Sequence, residues 1–88
     1  MLVEFLSKFS KDLDNLKQKS VKSNIEKVIK QFELADSVDD IPSIKKLTGF
    51  KNAYRIRIGD YRIGVFIENN KVEFARVVHR KDIYKYFP

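Results

Sequence analysis

The residues best suited to chemistry in this chain are cations and phenols in its second half. Arg55, Arg57 and Arg62 lie within YRIRIGDYRIG (residues 54–64), His79 and Arg80 follow at the end of FARVVHR, and Tyr84 and Tyr86 stand in the closing KDIYKYFP. A guanidinium binds phosphate oxygens through two parallel hydrogen bonds. Several of them around one phosphodiester stabilise the charge of a phosphoryl-transfer transition state, and no metal is then required. Histidine and tyrosine are the proton-handling partners of such a cluster. A tyrosine near several cations is favoured as its phenolate and can act as a general base, or it can stack on a nucleobase. Any one of these side chains alone reads as solvated surface or as a tail packed onto its domain. The clustering of the arginines with a histidine and nearby lysines favours an anion site.

The rest of the composition narrows the chemistry. The chain has 88 residues, which predicts a single domain spanning 1–88. It has no cysteine and one histidine, so a thiolate site, a disulfide and a protein-built zinc centre are all disfavoured, and neither a metal nor a cofactor is expected. No run reaches the length of a membrane span and the N-terminus lacks the order of a signal peptide, which predicts a soluble cytoplasmic protein. The net charge of +6 is uneven: residues 1–44 hold seven lysines and eight carboxylates, residues 45–88 eleven basic residues and four acids. The positive field belongs to the second half and calls for a polyanion or an acidic protein partner. Lys45, Lys46, Lys51 and Lys81 border the arginines in sequence and are candidate RNA-binding residues.

The elements that must position these groups follow from periodicity. LVEFL (residues 2–6) reads as a strand. Phe9, Leu13 and Leu16 recur at helical spacing, with Ser7 or Ser10 as cap and an end near Lys19. Ser20 would cap a second helix with the stripe Val21, Ile25, Val28, Ile29, Phe32 and Leu34. Residues 35–43 read as a connection that Val38 and Ile41 pin to the core; residues 44–52 carry no clear pattern. From Ala53 the period becomes two. Gly59-Asp60 and Asn69-Asn70 are hairpin turns, so the strands run over 53–58, 61–68 and 71–79. The tail forms one helical turn or runs extended. The order β-α-α-β-β-β predicts an α+β fold, a helical hairpin packed on one face of an antiparallel sheet.

The first turn fixes the pairing. Ile58 meets Tyr61, Arg57 meets Arg62 and Arg55 meets Gly64. Tyr54, Ile56, Ile58, Tyr61, Ile63, Val65 and Ile67 then share the face under the helices, and Arg55, Arg57, Arg62, Gly64 and Phe66 the other. Like charges directly opposite cost up to about 1 kcal/mol. Gly64 would leave room for a ligand to approach Arg55. In the last strand Val72, Phe74, Arg76 and Val78 would share the apolar face, where Arg76 requires a snorkelling stem or a bulge. On simple parity His79 projects on the arginine side.

With these residues in view, the chain resembles the RelE/ParE superfamily of toxins from type II toxin–antitoxin systems, in its RelE-like branch. The resemblance lies in the order of elements and in the succession K-L-x-G, Y-R-I-R-x-G-x-Y-R and H-R-x-D-I-Y, carried by IPSIKKLTGFKNAYRIRIGDYRIGV and VVHRKDIYKYF. It implies a ribosome-dependent endoribonuclease that cuts mRNA without a metal, the 2′-hydroxyl attacking the adjacent phosphate to leave a cyclic phosphate and a 5′-hydroxyl. By motif, Arg55 and Arg57 match the two basic hairpin positions, often lysine in the family. Arg62 matches the arginine after the turn and Arg80 that of the last strand, with His79 before it. Tyr84 and Tyr86 both fit the C-terminal tyrosine. Arginine is a poor proton donor, so His79 is the candidate acid where the family uses lysine. The resemblance also implies a cognate antitoxin, and operator DNA bound only by the toxin–antitoxin complex. Two other functions compete: a ParE-like inhibitor of DNA gyrase without RNase activity, and a non-catalytic nucleic-acid-binding module. The arginine–tyrosine set favours the nuclease, and the sheet lacks the aromatic-rich strands of common single-strand binders.

Overall fold

The computed structural model describes all of residues 1–88. Strand β1 (Leu2–Phe5) leads into helices α1 (Ser7–Asn15) and α2 (Lys19–Leu34). A 3₁₀ turn (Val38–Asp40) precedes β2 (Ile44–Lys46), and β3 (Ala53–Ile58), β4 (Tyr61–Glu68), β5 (Lys71–His79) and a short helix α3 (Ile83–Tyr86) complete the chain. The sheet order is β1-β5-β4-β3-β2. Neighbours run antiparallel from β2 to β5, and β1 joins parallel to β5. The predicted layer of helices on one sheet face is present. The pattern-poor stretch after Pro42 supplies the extra edge strand β2.

Both hairpin turns are where local chemistry demands them. Gly59 sits at φ +54°, and Asn69 and Asn70 at +52° and +60°, the left-handed conformations of tight two-residue loops. The main core lies between helices and sheet. Phe9, Ile25, Val28 and Phe32 face Ile56, Ile58, Ile63, Val65, Val72, Phe74 and Val77, and the rings of Phe5, Phe9 and Phe32 surround Phe74 at centroid distances of 5.3–5.6 Å. Tyr54, Tyr61 and Ile67 pack half-buried against this core, as their shared parity requires.

The helix boundaries differ from the sequence reading. No serine caps either helix: Leu6 and Gln18 hold the N-cap positions in extended conformation without side-chain cap bonds. The first helix stops at Asn15 because Leu16 turns extended and is buried. Leu34 is 84% exposed rather than part of the core stripe. It stands about 200° around the helix from Phe32, whose neighbours on that face are Ile25, Val28 and Ile29.

A bulge decides the register of β5. Val65 pairs with Phe74 but Gly64 pairs with Arg76, so Ala75 is the extra residue. Phe74 and Val77 both reach the core, and Arg76 is carried out of it. Without the bulge the guanidinium would be driven into an apolar interior, at a cost of several kcal/mol. Outside, Arg76 donates from Nε and Nη2 to the Asp12 carboxylate of α1 at 2.7 and 3.0 Å. The same carboxylate accepts the Val77 N–H at 3.1 Å, on the edge of β5 that β1 no longer covers. The hydrogen bond to Asp12 raises the Arg76 pKa, burial opposes it, and the Asp12 and Tyr86 charges add to the rise. Asp12→Ala should therefore lower stability by about 2 kcal/mol, by leaving a half-buried cation and a strand N–H without their acceptor. Denaturant unfolding measures this; an unchanged midpoint would show the pair to be ornamental.

Candidate functional site

The face of the sheet away from α1 and α2 carries the arginines. The observed register places Arg57 opposite Arg62, Arg55 opposite Gly64 and Lys45 opposite Arg55. Lys45, Arg55, Gly64 and Arg76 thus form one row across four strands, with Arg57, Arg62 and Val78 in a neighbouring row. No carboxylate lies within 4.0 Å of Arg55, Arg57 or Arg62; Arg80 has only a 3.9 Å contact with the exposed Asp60. The cluster is uncompensated, and its charges feel one another. The Arg62 pKa is lowered first by burial and then by repulsion from Arg57, Arg55 and Arg80, with Asp60 acting in the opposite sense. It stays a cation at neutral pH.

Local structure holds Arg62 in place. Its Nη1 donates to the carbonyls of Gly59 and Tyr61 at 2.8 Å each, so the β3–β4 turn itself anchors the guanidinium. Arg80 is tied to the same turn through its backbone N–H, which donates to Asp60 O at 2.7 Å.

The tail returns over this face and forms a second, smaller apolar cluster. Ile83 and Phe87 are buried with Ala53 and Ala75, with Leu6, Leu47, Phe66 and Val78 at the margin. Phe87 occupies the space above Gly64: a Cβ built there would lie 2.5–2.7 Å from three of its ring carbons. The gap that the sequence offered to a ligand beside Arg55 is therefore filled by the protein's own phenylalanine. Glycine in a strand marks close approach, but which group approaches depends on the tail's path.

Astride Gly64, α3 sends its two tyrosines to different arginines. Arg55 Nη1 donates to the Tyr84 hydroxyl, and its guanidinium lies 5.0 Å from the centroid of that ring. Tyr86 lies under Arg76, also at 5.0 Å. The structure brings Tyr84 to the hairpin arginines and Tyr86 to the Asp12–Arg76 pair.

His79 is a correction. The bulge inverts parity beyond Ala75, so His79 pairs with Tyr61 and its ring packs edge-on against Tyr61 at 5.7 Å, on the helix side of the sheet end. Its Nδ1 accepts the Lys81 N–H at 3.3 Å. Among the lysines, Lys45 shares the arginine face and Lys46 pairs with Tyr54. Lys51 stands in the β2–β3 loop beyond them, and Lys81 is exposed after β5. Asp12, Arg76 and Phe87 are structural partners of the site that the sequence reading did not join to it. The misplaced polarity of Arg76 was the one local sign of the bulge.

Comparison with known proteins agrees with this architecture. Residues 3–84 match the family model described as ParE toxin of type II toxin-antitoxin system, parDE. The chain is 40% identical over 89 residues, and over the full length of both, to Toxin RelE3 of Methanocaldococcus jannaschii. The fold matches the crystal structure of the RelB-RelE antitoxin-toxin complex from Methanococcus jannaschii with TM-score 0.82 and 38% identity, covering 97% of this chain and 99% of that one. It also matches the archaeal RelE-RelB complex from Pyrococcus horikoshii OT3, with TM-score 0.74, 20% identity and coverage of 93% and 97%.

Proposed function

The chain belongs to the RelE/ParE superfamily of toxins from type II toxin–antitoxin systems, and from that membership we propose that it is a metal-independent, ribosome-dependent endoribonuclease that cleaves mRNA. The observation that carries this reading is the set of guanidiniums without carboxylate partners on one sheet face, with Tyr84 bonded to one of them. Arg57 and Arg62 clamp the scissile phosphate. Arg55 and Arg80 complete the charge shell and favour the pentacoordinate transition state over the ground state. The 2′-hydroxyl oxygen bonds to phosphorus as the P–O5′ bond breaks and the departing 5′ oxygen takes a proton from water, giving a 2′,3′-cyclic phosphate and a 5′-hydroxyl. The 2′-hydroxyl proton passes to the Tyr84 oxygen, which Arg55 orients by its hydrogen bond. His79, on the other side of the sheet end, stands outside this proposal, and Tyr86 serves to hold the tail.

The partner in this reading is a cognate antitoxin with an acidic segment, drawn by the basic second half of the chain. The toxin–antitoxin complex, rather than this chain alone, binds operator DNA. The site of action is the ribosome in the cytoplasm, and no helix of the chain is long and apolar enough to cross a membrane. A second reading, inhibition of DNA gyrase without RNA cleavage, is favoured by the ParE description of the matching family model.

The experiment maps new 5′-hydroxyl ends on mRNA in a translation reaction, with and without ribosomes. Wild type should cut only with ribosomes. Tyr84→Phe should slow cleavage on the order of 10²-fold, the effect of losing a positioned general base, and Tyr86→Phe should leave it unchanged. Growth arrest with intact mRNA and trapped gyrase would move the assignment to the second reading.

A further inference from the structure

We propose that the cleft beside Arg55 is a subsite for one nucleotide of single-stranded RNA, with Phe50 as the surface on which its base stacks. This rests on the endoribonuclease reading and adds to it a residue that neither the arginine cluster nor the C-terminal motif includes.

Phe50 stands in the β2–β3 loop and leaves 49% of its surface exposed. It is a buried member of neither apolar cluster. Its loop is nevertheless fixed. Leu47 packs against the small cluster under the tail, its N–H donates to Ala53 O at 2.9 Å, and the Phe50 N–H donates to Leu47 O at 3.4 Å. An aromatic ring is thus held half-exposed on a closed loop. Tyr84, 70% exposed, lines the same open cleft of about 460 Å³. Lys45, Lys46, Thr48 and Arg55 supply its polar walls, and no acidic side chain does.

That lining matches the two halves of a nucleotide. Aromatic faces accept a base of any identity, and the flanking cations hold its phosphate. Lys45 lies directly across the sheet from Arg55, so the cleft continues the row of positive charge that leads to Arg57 and Arg62. A strand of RNA with its scissile phosphate at those two arginines has a neighbouring nucleotide to place, and the Phe50 cleft is an adjoining opening with no acidic side chain in its walls. An acidic peptide would use the lysines, but it has no need of an exposed ring beside them.

The test measures cleavage of mRNA on programmed ribosomes as a function of toxin concentration. The mRNA carries either a natural nucleotide or an abasic one immediately 5′ or 3′ of the cut. Phe50→Ala should raise the half-saturating concentration about tenfold, in line with the loss of one base–aromatic stack, with a smaller change in the maximal rate. Phe50→Trp should restore it and Phe50→Leu should not. An abasic nucleotide on one side of the cut should cost wild type the same factor and Phe50→Ala little further. Thermal midpoints should differ little among the variants, since Phe50 leaves half its surface exposed and is a buried member of neither cluster. Wild-type cleavage by Phe50→Ala, or an equal loss on natural and abasic mRNA, overturns the subsite. So does a defect confined to antitoxin binding, which assigns the cleft to a protein partner. Arg62→Ala run in parallel separates the two failures. If Arg62→Ala is impaired and Phe50→Ala is not, the subsite alone falls; if wild type cuts no mRNA, the endoribonuclease reading falls and the subsite with it.

Discussion

Arg62→Ala is expected to reduce mRNA cleavage by on the order of 10²-fold or more while the protein stays folded. Three observations set the size and the direction. Arg62 is fixed in advance by its two 2.8 Å bonds to the Gly59 and Tyr61 carbonyls, and loss of a preorganised donor costs that much in other electrostatic sites. It is opposite Arg57 and feels the charges of Arg57, Arg55 and Arg80, so its removal takes away a cross-strand repulsion of up to about 1 kcal/mol. That gain offsets the two lost hydrogen bonds, one exposed and one half-buried, and stability should change by less than about 1 kcal/mol. Arg62→Lys separates charge from geometry: an ammonium keeps the charge but not the fork, so cleavage should recover in part. Antitoxin binding should survive in part, because it draws on a wider surface. Equal cleavage by wild type and Arg62→Ala, measured by end-mapping on ribosomes, would remove Arg62 from the site.

Gly64→Val is expected to disable the site from beneath. Even the first carbon of a new side chain would lie 2.5–2.7 Å from the Phe87 ring. The ring belongs to a well-packed cluster and the glycine to a central strand, so neither yields easily. Overpacking of this kind costs about 1–3 kcal/mol, part of it returned by the strand preference of valine. The relief available to the protein is to release the tail. Release exposes Ile83 and Phe87 and withdraws Tyr84 from Arg55. Displacement of a positioned group by an ångström or more costs on the order of 10²-fold, and cleavage should fall by that much with the main core intact. Proteolysis at Lys85 should become faster and the thermal midpoint should drop. Phe87→Ala in the same chain should restore part of the lost stability, because the two changes share one space. A Gly64→Val protein with wild-type cleavage and an unchanged midpoint would mean that the tail and the arginines work independently.

The sequence by itself determined the central hairpin and the face its arginines occupy. Alternation from Ala53 to Glu68 is a local code, and Gly59 at positive φ leaves one way to close the turn. Arg57 against Arg62 and Arg55 against Gly64 then follow without any knowledge of the rest of the chain. The family motifs, being contiguous, were equally legible. What the tertiary structure alone decided lies where two distant segments compete for one place. Parity carried past Ala75 puts His79 with the arginines; the bulge, which turns Arg76 out to Asp12 and keeps Val77 in the core, puts it with Tyr61. Spacing from Arg80 leaves Tyr84 and Tyr86 equivalent; the docking of Phe87 over Gly64 gives Arg55 to one and Arg76 to the other. In each case the residue's own pattern permitted both outcomes, and the choice fell to burial of an apolar group at the expense of a charged one, a balance struck only when Asp12, Arg76, Gly64 and Phe87 meet from opposite ends of the chain.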